Sequence, residues 1–264
     1  MKKMLIMTAV LFIIACNNQS DSASKVTWSD LVSENLKGDI VSYEETPYKV
    51  DSMGKMGEVD SCCISVAEYD ENGNSFKTIS KLKDGTISSE SVLTRHPNGL
   101  FKSIATTEKG KSTGGFRVDL DADGKISLAV AIDSNGKDEV HYKDITMNEV
   151  GEVTGWKQYD KDSVFRMQGE NTYDKHMFLS STTKDSVGTV KNSNSSKYND
   201  KGEQIESSFT NFGKDSTTTT ITKYTYESHD EMGNWTHRTT WNEKGMATKM
   251  VMRKFTFRAS GTKK

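Results

Sequence analysis

His229-Asp230-Glu231-Met232-Gly233-Asn234-Trp235-Thr236-His237-Arg238-Thr239-Thr240-Trp241-Asn242-Glu243-Lys244-Gly245 reads as a polar turn, a short alternating run and a second polar turn. Glycine after acidic or amide residues supplies the positive φ that tight hairpin turns demand. In a strand, alternation places Trp235, His237, Thr239 and Trp241 on one face. The first turn is not unique. It recurs as Tyr69-Asp70-Glu71-Asn72-Gly73-Asn74, His96-Pro97-Asn98-Gly99, Asp121-Ala122-Asp123-Gly124, Asn148-Glu149-Val150-Gly151 and Tyr198-Asn199-Asp200-Lys201-Gly202, and His176 fills the slot without glycine. The slots at 73, 99, 124, 151, 176, 202 and 233 are separated by 26, 25, 27, 25, 26 and 31 residues. A fixed step of this kind is the signature of a repeat architecture.

A second series falls halfway between: Asp84-Gly85, Lys109-Gly110, Asn135-Gly136, Lys161-Asp162-Ser163, Lys184-Asp185-Ser186, Lys214-Asp215-Ser216 and Lys244-Gly245. The unit is therefore turn, strand, turn, strand. Ile126, Leu128, Val130 and Ile132 alternate as a strand does, and the only prolines are Pro47 and Pro97, which leaves long ladders uninterrupted. Upstream, residues 36–42 and 64–69 predict one more hairpin, and residues 28–32 the one short helical turn. These segments predict an all-β fold: a long antiparallel meander of about 16 strands from hairpin repeats of about 26 residues. Open sheets rarely exceed about ten strands without curling. With 33% hydrophobic residues the chain does not cover two faces, so the sheet is expected to curl with its larger apolar residues on the concave side. An outer-membrane barrel is disfavoured, because Lys191-Asn192-Ser193-Asn194-Ser195-Ser196 and Thr217-Thr218-Thr219-Thr220 lack lipid-facing apolar residues.

The turns YDENGN, YNDKGE and HDEMGNW resemble the YD turns of Rhs/YD-repeat proteins and, more loosely, MORN-type hairpin repeats, over about residues 36–258. That resemblance implies an antiparallel β-repeat shell or ribbon, often on bacterial surfaces and usually without catalytic residues.

The N-terminus carries an address. Lys2 and Lys3 precede an apolar stretch from Met4 to Ile14, too short to span a bilayer, and then Ala15 and Cys16. Ile13-Ile14-Ala15-Cys16 resembles a bacterial lipobox, which implies cleavage before Cys16 and its lipidation; an ordinary signal peptide with a chance cysteine is the alternative. More than one acyl chain makes anchorage stable. Asn17 resembles an outer-membrane sorting signal. The expected organisation is a signal peptide over 1–16, a flexible tether over 17–27 and a single β-repeat domain over 28–264. Loss of two of 35 basic residues leaves 33 against 37 acidic ones, a net of −4, and no basic stripe suggests nucleic acid.

Candidate chemistry is sparse. Asp119, Asp121 and Asp123, followed by Gly124, have the alternate-oxygen spacing of a calcium loop, but Val130 stands where a bidentate glutamate belongs and Gly124 is also on schedule as a hairpin turn. Trp235, His237 and Trp241 form a possible ligand platform, or else core; His229 and His237 flank one turn. Asp-Ser-apolar triplets at Ser22, Ser52, Ser163, Ser186 and Ser216 are similar to an O-glycosylation acceptor of exported bacterial proteins, and Lys-Asp-Ser is also simply a good turn. Cys62 and Cys63 are expected as unpaired thiols, since strand neighbours point to opposite faces. No nucleophile elbow, phosphate loop or HExxH motif occurs, and no cofactor is expected. The reading is a non-catalytic, outer-membrane-anchored lipoprotein that binds or scaffolds a protein or glycan. The alternatives are a toxin-neutralising immunity-type protein, or a hydrolase with clustered acids on the concave face.

Overall fold

The computed structural model describes residues 29–149, 151–174 and 176–259. The signal peptide, Cys16, Ser22 and the whole of the tether lie outside them. One short helix, α1 (Asp30–Ser33), precedes the strands β1 (Ile40–Val50), β2 (Met56–Val59), β3 (Cys62–Tyr69), β4 (Ser75–Leu82), β5 (Ile87–Arg95) and β6 (Phe101–Glu108). Next come β7 (Lys111–Leu120), β8 (Ile126–Ile132), β9 (Asp138–Met147), β10 (Val153–Asp160), β11 (Phe165–Asp174) and β12 (Met177–Asp185). The last are β13 (Val190–Tyr198), β14 (Gln204–Phe212), β15 (Thr217–His229), β16 (Trp235–Asn242) and β17 (Ala247–Phe257).

Most of the turns are built by one side chain. At the turn's first residue an Asp or Asn turns its Oδ1 inward to accept the backbone N–H groups two and four residues on. Asp70 does this for Asn72 and Asn74, Asp121 for Asp123 and Lys125, Asp133 for Asn135 and Lys137, Asn199 for Lys201 and Glu203, and Asp230 for Met232 and Asn234. The fourth residue takes a positive φ, hence glycine. Ser163 (φ 62°) and His176 (φ 71°) take that conformation with a side chain in place of glycine, as does Lys109 (φ 47°) in its own turn.

The expected open, curled meander is corrected. Consecutive strands from β3 to β17 pair as neighbours, and β1 then pairs antiparallel with β17 on one side and β3 on the other. Glu45 stands opposite Arg253 in the first ladder and opposite Ser65 in the second. β2 extends the β3 side of the same ladder through Tyr48 and Val59. The sheet is thus a closed antiparallel barrel of sixteen strands. Closure gives β1 and β17 the partners that an open sheet would leave missing along two edges, which is its physical reason. The expectation of two unpaired thiols is also corrected. Cys62 and Cys63 are joined through their sulfurs, at a register shift between Cys62 and Ile64 that breaks the strand's alternation.

The chain forms two compact units. One comprises Val92–Lys197 and Ser207–Thr220, the other Ser29–Ser91, Tyr198–Glu206 and Ile221 onward. In the first, the inner face carries a core of Leu93, Phe101, Phe116, Val118, Ala129, Tyr142 and Val153. Phe101, Phe116, Tyr142 and Trp156 form a file with centroids 6.5, 5.8 and 5.5 Å apart. Trp156 lies flat on Gly169, its partner in the ladder. The opposite face is charged: Arg117 holds Asp138 through two hydrogen bonds at 2.7 and 3.1 Å and reaches Asp119 at 3.4 Å. In the second unit the outer face likewise carries Lys77–Glu90 and Lys81–Glu44 ion pairs.

Candidate functional site

The second unit contains the arrangement with most chemistry, and the chain's N-terminal segment completes it. Residues 29–39 cross three turns of the repeat series. Leu31 N–H donates to the Gly73 carbonyl at 3.2 Å, Ser75 N–H to Asp30 Oδ2 at 2.8 Å, and Asn35 Nδ2 to the Lys201 carbonyl at 2.9 Å. Asn234 accepts from Lys37 N–H at 2.7 Å and donates back to the Lys37 carbonyl at 2.9 Å. Leu31 and Leu36 bury themselves against Ile40, Ala67 and Tyr69, with Tyr43 and Phe255 packed alongside. This seat fixes the face to which the segment belongs, and the ladder carries that face onward: Tyr43 and Glu45 of β1, Ala67 of β3, and Val251, Arg253 and Phe255 of β17 all share it.

Glu34 follows α1 directly and enters this layer. Tyr69 donates its hydroxyl to Oε1 at 2.8 Å and Tyr43 to Oε2 at 3.0 Å. Solvent reaches Glu34, yet protein surrounds its carboxylate closely enough that desolvation raises its pKa above the ordinary value, against the lowering effect of the Tyr69 hydrogen bond and of Arg253. Burial likewise pushes both tyrosines above their usual range, and the Glu34 carboxylate adds to the effect.

Arg253 is the hub beside it. Nε and Nη2 both donate to Glu45 Oε1, at 3.0 and 2.6 Å. Its guanidinium lies 3.8 Å from the centroid of Trp235 and 4.5 Å from that of Tyr43. The side chain is 9% exposed, and Nη1 finds no acceptor on the protein. Arg238, opposite Val251 in the ladder, also stacks in this group, 4.7 Å from the centroid of Trp235 and 5.1 Å from that of Tyr224. Tyr226 packs on Trp235 at 5.8 Å and donates its hydroxyl to the Gln204 carbonyl at 2.8 Å. The layer is therefore two guanidiniums and two carboxylates set among six aromatic rings, Phe255 included, which suits recognition of a polar ligand with flat or apolar faces.

The expected platform of Trp235, His237 and Trp241 is divided. Register shifts between Tyr226 and Ser228 and between Ser228 and His229 interrupt the β15–β16 alternation. Trp235 consequently lies with Arg238 and Arg253, whereas Trp241 donates to Thr225 Oγ1 at 2.9 Å on the opposite face. His237 contacts Ser228 Oγ at 2.6 Å. His229 instead meets Glu203 Oε1 at 2.5 Å, so the two histidines serve different partners. Asn199 holds the other Glu203 oxygen at 2.7 Å. The first unit repeats this arrangement: Asn148 donates to Glu152 at 2.7 Å and His176 lies 3.3 Å from it. The motif, a glutamate after the turn glycine with histidine one repeat later, was present in the sequence at a spacing of 24 and 26 residues and was not singled out.

Asp121 holds its own turn and Asp119 bonds Arg117; among the described residues no group of three or more histidine, cysteine, aspartate or glutamate side chains could hold a metal ion. Ser52, Ser163, Ser186 and Ser216 are exposed; the last three sit in the half-step series of turns, and Ser52 in the turn between β1 and β2. Among the described residues no helix is long and apolar enough to cross a membrane.

No protein-family model and no characterised protein matches the sequence. Solved structures do. A porin-like protein from Bacteroides uniformis is similar at a TM-score of 0.51 and 10% identity, over 82% of this chain and 98% of that one. A porin-like protein from Bacteroides vulgatus gives a TM-score of 0.36 at 11% identity, over 84% of this chain and 100% of that one. TcdB2-TccC3 without its hypervariable C-terminal region gives 0.30 at 13%, over 72% of this chain and 12% of that one. The first likeness supports the barrel fold; the other two carry no argument.

Proposed function

We propose that this protein is a lipid-anchored, non-catalytic binding module of the bacterial envelope, whose ligand site is the inner aromatic and charged layer around Trp235. The observation that carries the reading is the layer itself: Trp235, Tyr224, Tyr226, Tyr43 and Tyr69 gathered with Arg238, Arg253, Glu34 and Glu45 under the N-terminal segment. Two supports favour binding over hydrolysis. Both Glu34 oxygens accept from tyrosine hydroxyls, and Glu45 takes both of its donors from Arg253, so internal bonds already engage the two carboxylates. Ion pairs lie on the outer faces of both units, and the reading assigns membrane attachment to acylated Cys16 and outer-membrane sorting to Asn17. Kinship of the turns with Rhs/YD repeats belongs to this proposal as well. So does O-glycosylation of the exposed Ser52, Ser163, Ser186 and Ser216, which intact-mass measurement of native protein without hexose increments would remove. The functional test is a glycan array and a pull-down from envelope extract with folded mature protein. Capture that weakens with Trp235→Ala supports the reading, and silence in both assays contradicts it.

A further inference from the structure

The inner face of the first unit changes character beyond Trp156. Ladder partners share a face, and Trp156 stands opposite Gly169, Gly169 opposite Thr183 and Thr183 opposite Asn192, so one row crosses β10 to β13. Two residues along, Asn171, Ser181 and Asn194 form a second row on the same face. Trp156 and Asn171 end the rows and are already engaged. The indole lies on Gly169 and packs against Tyr142, while Asn171 is held by the Val153 carbonyl at 2.8 Å and by the Tyr173 side chain. The remaining four are half-buried and open. Asn194 Nδ2 donates to Ser181 Oγ at 3.0 Å, which leaves the Asn194 carbonyl and the Ser181 O–H, and the side chains of Thr183 and Asn192 make no hydrogen bond with any described residue. Asparagine is disfavoured in strands, and an amide without a partner adds nothing to stability. Two such residues on β13, on the face that carries Phe116, Ala129 and Tyr142 in β7 to β9, are therefore not explained by folding. The two rows hold no charge, whereas the other face of β11 and β12 carries the Glu170–Lys184 pair.

We infer that the inner wall of β12 and β13 is a second ligand site, which takes a neutral oligosaccharide on Ser181, Thr183, Asn192 and Asn194. With about 4.8 Å between strands and about 7 Å between alternate residues of one strand, the four groups match the footprint of a sugar ring. Sugar hydroxyls both donate and accept, as amide and hydroxyl side chains do, and an uncharged wall suits an uncharged ligand. The site belongs to the other unit from the Trp235 layer and does not rest on that layer binding anything.

The test is isothermal titration of the mature protein with maltotetraose, cellotetraose and chitotetraose, with tetragalacturonate as the charged control and tetraalanine as the peptide control. At least one neutral tetrasaccharide should bind, and both controls at least tenfold more weakly. Asn192→Val and Asn194→Ala should each weaken that binding at least tenfold. Because valine suits a strand and Asn192 makes no bond, the thermal midpoint of Asn192→Val should equal or exceed the parent's. Trp235→Ala should leave the saccharide affinity unchanged. Silence with all three saccharides, equal binding of either control, or unchanged affinity in Asn192→Val overturns the inference. So does a lowered thermal midpoint in Asn192→Val, which would make the amide structural. Saccharide binding lost in Trp235→Ala but kept in the asparagine variants overturns it too, while supporting the Trp235 layer as the ligand site.

Discussion

At Gly169 the lack of a side chain is a packing requirement. A Cβ built there would lie 2.3 Å from two atoms of the Trp156 ring, far inside contact distance. Gly169→Ala must therefore push the indole off its seat beside Tyr142, at a cost of about 1–3 kcal/mol from overpacking. Urea denaturation should report that loss, and parental stability would show that the ring is not seated there. Glu34 offers a second test at this scale, through pH. Its folded-state pKa is raised, chiefly by desolvation. Below the unfolded value both states hold the proton and the shift has no effect. As pH rises past 4.5, the ordinary value for glutamate, the unfolded state releases its proton first, so the native state loses relative stability until its own pKa is passed. Glu34→Gln removes that decline: its stability relative to the parent should grow between pH 4 and neutrality. A difference independent of pH would contradict the crowding of this carboxylate.

At the scale of the element, the turn is the unit of design. One Asp or Asn oxygen collects two backbone N–H groups while a residue of positive φ closes the loop, and the strand lengths follow from where the next such turn falls. Backbone hydrogen bonds lower the pKa of Asp133, first from Lys137 and then from Asn135. A depressed carboxylate stabilises the fold above its unfolded value, near 3.8 for aspartate, and that contribution is lost as pH falls through the folded value. Asn199 shows that asparagine makes the same clamp without titrating. Asp133→Asn should therefore keep neutral-pH stability and reduce the slope of stability against pH below 4; an unaltered slope would mean the clamp is absent. This level of structure was legible in the sequence, because a turn needs particular residue types at fixed offsets. The faces of a strand are harder to read. Strict alternation puts Trp235 with Trp241, but the register shifts beside Ser228 separate them, and nothing in the local residue pattern marks those shifts.

Across the whole molecule, the turns set the number of strands without revealing what happens to the first and last. Sparse apolar residues argue against covering two faces of an open sheet, but they do not announce that the sheet closes. Closure depends on a ladder between residues about two hundred positions apart, such as Glu45 and Arg253, and neither residue's own neighbourhood in the chain announces the other. The inner layer escaped sequence reading for the same reason. Glu34, Tyr43, Tyr69, Trp235, Arg238 and Arg253 belong to separate elements that meet only because β1 joins β3 to β17 and the segment before it folds over the turns at Gly73, Lys201 and Asn234.

The closed ladder is the central claim, and residue-resolved amide hydrogen exchange of β1 and β17 tests it most directly. Successive amides of an antiparallel strand point alternately to its two neighbours. With β1 paired on both sides, consecutive amides from Ser42 to Glu45 should all be protected, and the same should hold in β17 from Met250 to Met252, where β16 and β1 both pair. Alternate amides exchanging at the rate of unpaired chain in either strand would show a free edge, and with it an open sheet and no enclosed inner layer.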